Sequence, residues 1–197
     1  MLYLNIAFAW CGYYAVHSLL ASNLIKNTVE LHWPGVFRWY RLSYSSFAIL
    51  SLLGLLWMHA QLADEPLLVS WTGSKYLAGC FGILALIGFK AAMKNYSMAE
   101  FMGLEQLQRG KLDPGTLQVS GWNRFVRHPL YFATLLLCIG IALWRPDRPT
   151  WIAVGCSVLY LFVGSWLEER KLIAQFGSAY RRYQANVPGI LPFRIKR

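Results

Sequence analysis

The sequence predicts an all-α, polytopic integral membrane protein of about five transmembrane helices, closing in a C-terminal helix hairpin with a cytoplasmic lobe. Three observations carry that expectation. Charged residues make up only 14% of the 197-residue chain and hydrophobic ones 56%, far from the roughly 25% charged share of a soluble domain. Several apolar runs approach the ~20 residues that cross a bilayer. Basic residues are also segregated: with five crossings, every Lys and Arg except Lys75, Arg145 and Arg148 falls on one side of the membrane. Positively charged segments stay in the cytoplasm, so the N-terminus is expected outside and the C-terminus inside.

Taken in order, Leu2–Ala21 is the first apolar run. It lacks a basic leader and a small-residue cleavage site, and reads as a retained helix rather than a signal peptide. Asn23–Ser43 follows, with Trp33-Pro34-Gly35 and the aromatic-basic stretch Phe37-Arg38-Trp39-Tyr40-Arg41. Such residues favour headgroup depth, so this segment is an interfacial belt or, alternatively, a substrate gate. Tyr44–Ala63 and Trp71–Ala92 are the next spans; Gly79, Gly82 and Gly88 in the latter suit close helix packing. Met93–Arg127 is a long cytoplasmic loop, of a size that tends to be functional. Within it, Lys111-Leu112-Asp113-Pro114-Gly115 has turn chemistry.

Leu130–Trp144 is short for a span and serves as one arm of a hairpin, tilted or reaching part way. Its partner is Thr150–Leu167, and Arg145-Pro146-Asp147-Arg148-Pro149 forms the polar tip. Glu168–Arg197 starts as a helix with Leu172, Ile173, Phe176 and Tyr180 on one face. It ends in Val187-Pro188-Gly189-Ile190-Leu191-Pro192, which proline keeps from being helical. No linker or repeat divides residues 1–197, so one membrane domain is expected, with 1–93 as a three-helix scaffold and 94–197 carrying the site.

Several chemistries are excluded. Cys11, Cys80, Cys138 and Cys156 lie in apolar runs without Cys-x-x-Cys spacing and act as small hydrophobes. His17, His32, His59 and His128 are scattered, with no second ligand at helical spacing, so no metal site is expected. There is no Gly-x-Gly-x-x-Gly or phosphate-loop pattern. The +10 net charge brings no nucleic-acid recognition module with it; it is a topology signal and an attraction to the anionic headgroups of the lipid bilayer.

The chemistry concentrates at the mouth of the hairpin. A hairpin returns the chain to the side it left, so Arg127-His128 and Glu168-Glu169 meet at one membrane face. Ionisable groups at a membrane are costly and mark functional sites. Arg127 and His128 suit a carboxylate, and Glu168 with Glu169 an ammonium, so a zwitterionic or cationic ligand fits, held by charge-assisted hydrogen bonds. Pro129 presets the start of the next helix, leaving backbone donors before it. From these residues alone a second reading stands equally: a structural Glu168–Arg127 salt bridge pins the hairpin while Arg170 snorkels.

Gly121-Trp122-Asn123-Arg124-Phe125-Val126-Arg127-His128-Pro129-Leu130-Tyr131 resembles the Gly-x-Tyr-x-x-x-Arg-His-Pro-x-Tyr signature of isoprenylcysteine carboxyl methyltransferases. Glu168-Glu169-Arg170-Lys171-Leu172, Phe176-Gly177, Tyr180, Tyr183 and Val187-Pro188 resemble the closing pattern of that family. His17-Ser18-Leu19-Leu20-Ala21-Ser22 and Phe101-Met102-Gly103-Leu104 are similar to a bacterial branch that includes thiol S-methyltransferases and NnrU-type proteins. The resemblance implies a bacterial inner-membrane methyltransferase that uses S-adenosyl-L-methionine (SAM), with residues 94–129 and 168–197 as a cofactor lobe. It implies that Glu168 takes the methionine amine, with Glu169 beside it. Gly121, Asn123, His128, Pro129, Leu130 and Tyr131 would line the pocket, with Thr116, Leu117 and Gln118 as the strand closing over it. Arg127 is the candidate for orienting substrate or cofactor.

Two departures bear on the substrate. Asn123 stands where the family has Tyr, and Gly164 where prenylcysteine enzymes place an arginine. The second argues against a prenylcysteine carboxylate and leaves a small thiol or a lipid-like amphiphile as acceptor. Methyl transfer from a sulfonium needs mainly positioning and desolvation, and a thiol already supplies some thiolate at neutral pH. Two alternatives remain: an NADPH-dependent sterol-type membrane reductase, which shares an Arg-His-Pro-x-Tyr hairpin, and a non-catalytic NnrU-like accessory protein. The Glu168-Glu169 pair disfavours the reductase because it repels phosphate.

Overall fold

The computed structural model describes residues 1–62, 64, 66–67, 72–94, 97–110 and 115–193. Its helices, in chain order, are α1 (Leu2–Leu20), α2 (Asn23–His32), α3 (Pro34–Ala60), α4 (Thr72–Met93), α5 (Met98–Met102), α6 (Leu104–Arg109), α7 (Pro129–Trp144), α8 (Arg148–Phe176) and α9 (Ser178–Asn186). A 3₁₀ turn, Gly121–Arg124, precedes α7. Among the described residues no strand forms, and the chain is an all-α membrane protein as expected. The turn expected at 111–115 lies, but for Gly115, outside the described residues.

Three described helices are long and apolar enough to cross a membrane: Pro34–Ala60, Gly73–Met93 and Arg148–Phe176, with Pro129–Trp144 apolar but shorter. Helix α1 has the expected length, but Asn5, Tyr13, Tyr14 and His17 dilute its apolar character and it is not among the three.

Two spans are longer than their apolar runs. Helix α3 begins at Pro34, so the aromatic-basic stretch expected in a separate belt is the first turns of the spanning helix itself. Proline at the first helical position has its missing N–H where none is needed. Helix α8 runs unbroken for 29 residues through both the apolar run and Glu168–Phe176. At 1.5 Å per residue that is about 43 Å, more than the ~30 Å hydrocarbon core, so its charged end projects beyond the lipid. It stops at Gly177, whose φ of 55° suits glycine. Tyr180 therefore belongs to α9, not to one helix with Leu172, Ile173 and Phe176.

The chain forms two compact units, residues 1–63 with 96–115, and 64–95 with 116–197. This partition differs from a 1–93 scaffold followed by 94–197. In the first unit α2, α5 and α6 attach to α3. Gln106, buried on α6, donates from Nε2 to the Phe37 carbonyl at 2.7 Å. Gly103 has φ 88°, and a Cβ there would lie 2.6 Å from the Leu42 nitrogen, so only glycine fits between the helices.

In the second unit α4 packs along α7 through small residues. A Cβ on Gly140 would sit 3.1 Å from the Ala78 carbonyl, and one on Gly88 would sit 3.0 Å from Ala133 Cβ. Ala78, Ala85, Ala133 and Ala142 are buried along the same contact. Close backbone approach through small residues is how membrane helices gain van der Waals contact. Gly79, expected to share this role, faces open space instead. The hairpin tip is locked by Asp147, which caps α8 by accepting from the Thr150 N–H at 2.9 Å and pairs with Arg145 at 2.8 Å. The Leu67 N–H donates to the Pro146 carbonyl at 2.7 Å.

Candidate functional site

The site lies wholly in the second unit, where the N-terminus of α7 meets the far end of α8. Proline at 129 starts α7 and leaves His128 as its N-cap. The preceding backbone is tied to the C-terminal segment: the Arg127 N–H donates to Pro188 O at 2.9 Å and Gly189 O at 3.0 Å, and the His128 N–H to Gly189 O at 3.3 Å. The extended Val-Pro-Gly piece thus straps the Arg-His loop in place.

Arg127 and Glu169 form the inner pair. The guanidinium donates from Nε to Glu169 Oε1 at 2.7 Å, and its NH2 group lies 2.5 Å from the same oxygen. Its remaining nitrogen donates to the carbonyls of Gln184 and Val187. Glu169 also receives Gln184 Nε2 on its second oxygen at 2.7 Å. Both side chains are largely buried, 12% and 16% exposed. With its donors and acceptors engaged within the chain, this pair is built as a fastening between α7, α8 and α9.

His128 bridges the inner pair to the surface. Its side chain is 4% exposed, with Nε2 3.1 Å from Glu169 Oε1 and Nδ1 3.4 Å from Glu168 Oε2. An imidazole facing a carboxylate from each nitrogen is at home as the doubly donating cation. Burial alone lowers its pKa, but hydrogen bonds and charge from Glu168 and Glu169 outweigh that, and the net shift is upward. Tyr131, in the first turn of α7, stacks on the ring at 5.3 Å and 13°; against the upward pull of burial, His128 and the Tyr131 hydroxyl together hold the Glu168 carboxyl below its ordinary pKa. Glu168 itself is 47% exposed. Its carboxylate is therefore oriented by His128 and Tyr131 and still open to an external cation.

The other expected site residues divide. Asn123 is buried: its Nδ2 donates to Arg127 O at 3.3 Å and its carbonyl accepts from Tyr183 Oη at 2.6 Å. Its Oδ1 is enclosed without a hydrogen-bond partner among the described residues. Gly121 opens the 3₁₀ turn at φ 59°, Pro129 is buried and Leu130 half-buried. Thr116, Leu117 and Gln118 have no regular structure; Gln118 Nε2 donates to Thr116 Oγ1 at 3.4 Å, and no described contact joins the three to the ion cluster. Gly164 faces Tyr131, where an added Cβ would lie 3.6 Å from the hydroxyl. Gln184 was missed by sequence reasoning. A glutamine on a polar helix carries no signal until α9 is folded back on Glu169.

The fold and site define a class: helical membrane proteins whose terminal hairpin is closed by an Arg-His/Glu-Glu network. The chain is similar to Methanethiol S-methyltransferase 1 of Bradyrhizobium diazoefficiens, 30% identical over 164 residues that cover 78% of this chain and 55% of that protein. It is 33% identical over 92 residues to Methanethiol S-methyltransferase of Pseudomonas deceptionensis, covering 45% of this chain and 33% of the relative. A second Bradyrhizobium protein, Methanethiol S-methyltransferase 2, matches 89% of this chain and 68% of its own length at 27% identity. The chain thus spans about half the length, or less, of the first two relatives. No protein-family model matches the chain. No solved structure matches it. The resemblance to isoprenylcysteine-type enzymes near the thiol S-methyltransferases is borne out by these relatives.

Proposed function

We propose that the chain is a SAM-dependent membrane methyltransferase that methylates a small thiol. The observation that carries this reading is Glu168, a half-exposed carboxylate held by His128 and Tyr131 beside a fully engaged Arg127–Glu169 pair. It is the acidic group of the cluster left open to a ligand, and it suits an ammonium. Phosphates would meet a carboxylate there, which disfavours NADPH. The relatives' names supply the reaction class and the thiol, and favour neither the reductase nor the accessory alternative.

The residues present fit SAM in part. Glu168 would hold the methionine amine, the His128–Tyr131 stack would form a wall of the pocket, and the enclosed Asn123 Oδ1 is an acceptor still to be satisfied. When bound, SAM supplies a methyl group on a sulfonium. The chain's contribution is placement: His128 and Tyr131 fix Glu168, and Arg127 keeps α7, α8 and the strap in register. No protein base is required, because a thiol near its ordinary pKa already ionises partly at neutral pH. We place the mouth in the cytoplasm, where SAM is made, with five crossings and the N-terminus outside.

Calorimetric titration of the purified protein with S-adenosylhomocysteine, beside NADPH, tests the reading. Micromolar binding of the first alone is expected. Glu168→Gln should weaken it at least tenfold, about 1.4 kcal/mol. Binding of NADPH instead would transfer the protein to the reductases.

A further inference from the structure

One outward stripe of α8 ends in a charge. Leu159, Val163, Trp166 and Arg170 follow one another at three- and four-residue intervals, which places them on a single helix face. All four are exposed. They belong to a helix long and apolar enough to cross a membrane, so the apolar part of this face meets acyl chains. Depth follows from the helix rise. Counted from Arg148 at the hairpin tip, Trp166 stands about 27 Å along the axis and Arg170 about 33 Å. The hydrocarbon layer is ~30 Å thick, so the two residues fall on either side of its edge. Tryptophan favours that boundary. The stripe therefore passes from hydrocarbon to charge at the level of the lipid phosphates.

The Arg170 guanidinium lies over the Trp166 ring, 4.9 Å from its centroid. Among the described residues it makes no ion pair and donates no hydrogen bond. Glu168 and Glu169 stand about 160° and 100° round the helix from it, and engage His128 and Arg127 instead. The ring excludes water from one side of the cation, which strengthens whatever its free N–H groups then hold. Open guanidinium donors suit an oxyanion, and the oxyanion abundant at this depth is a phosphodiester. A zwitterionic head would also bring an ammonium to a face that carries no Asp or Glu; a net-negative head would not. Free phosphate would use the cation but leave the apolar stripe idle. We propose that Trp166 and Arg170 form a binding site for an anionic phospholipid, its phosphate on the guanidinium and an acyl chain along Val163 and Leu159. The proposal does not depend on the methyl-transfer reading.

Photolabelling in nanodiscs, with a phosphatidylglycerol analogue carrying a diazirine near its glycerol backbone, tests the site. Label should concentrate in the peptide holding residues 163–170. Unlabelled phosphatidylglycerol should displace it at about one fifth of the mole fraction that phosphatidylcholine needs, the preference expected of one arginine near a membrane surface. Arg170→Gln should bring the two lipids to equal competition. Trp166→Leu keeps the charge and the apolar bulk, and should lessen the preference without erasing it. Both side chains are exposed, so neither substitution opens a hole in the packing. Equal competition by the two lipids in the unaltered protein, a preference that survives Arg170→Gln, or displacement of the label by inorganic phosphate would overturn the proposal.

Discussion

His128 lies buried between two carboxylates, and its upward pKa shift makes the fold sensitive to pH. The folded state binds this proton more tightly than the unfolded chain does, so the stability it contributes is complete below the ordinary value of 6.5 and declines as pH rises through the raised folded value. Thermal unfolding in detergent should therefore show a falling midpoint across that window, and His128→Gln should flatten the slope. Arg127 has a different role. Arg127→Met leaves Glu169 buried with one fewer partner, at a cost of about 3 kcal/mol, and a melting curve should register that loss with no ligand present. Glu168→Gln, at a half-exposed position, should leave the melt nearly unchanged while weakening S-adenosylhomocysteine binding. Equal effects of the two substitutions on stability would contradict this division of labour. The division was hidden in the sequence: adjacent residues on a helix point about 100° apart, and nothing in Glu168-Glu169 says which one faces Arg127. The meeting of the Arg-His and Glu-Glu pairs was legible, because a hairpin of two apolar runs brings its ends together.

Among the described elements, α4 and α7 make the most extensive contact, and glycine permits it. Gly140→Leu should push the helices apart at the cost of an overpacked core, about 1–3 kcal/mol, and lower the midpoint. Gly79→Leu, which faces open space, should be tolerated. The contrast between these two variants is read directly by comparing their melts. Apolar runs revealed that α4 and α7 exist, yet counting glycines could not say which of them face a partner. The same limit applies to the starts of α3 and the end of α8. Hydropathy marks where a helix enters lipid, whereas the helix continues until its hydrogen bonds are capped or broken. At α8 the ends are Asp147 and Gly177, which lie outside the apolar run on both sides.

For the whole molecule, the asymmetry of Lys and Arg predicts one orientation. A fluorescent reporter fused after Arg197 should fold and fluoresce in the cytoplasm, and a periplasmic phosphatase fused there should stay inactive; the reverse pattern would invert the proposed topology. Composition revealed the membrane class at once. The two-unit organisation was not legible, because it depends on α5 and α6 turning back onto α3 through Gln106 and Gly103, side-chain details without a periodic signature. One mechanical consequence remains. Helix α8 is a continuous beam, clamped at one end by Asp147 and the Leu67–Pro146 bond and at the other by Arg127, Gln184 and the strap. A beam held at both ends does not swing. Whatever arrives at Glu168 meets a fixed post, and adjustment to ligands of different size is left to the neighbouring side chains rather than to movement of the helix.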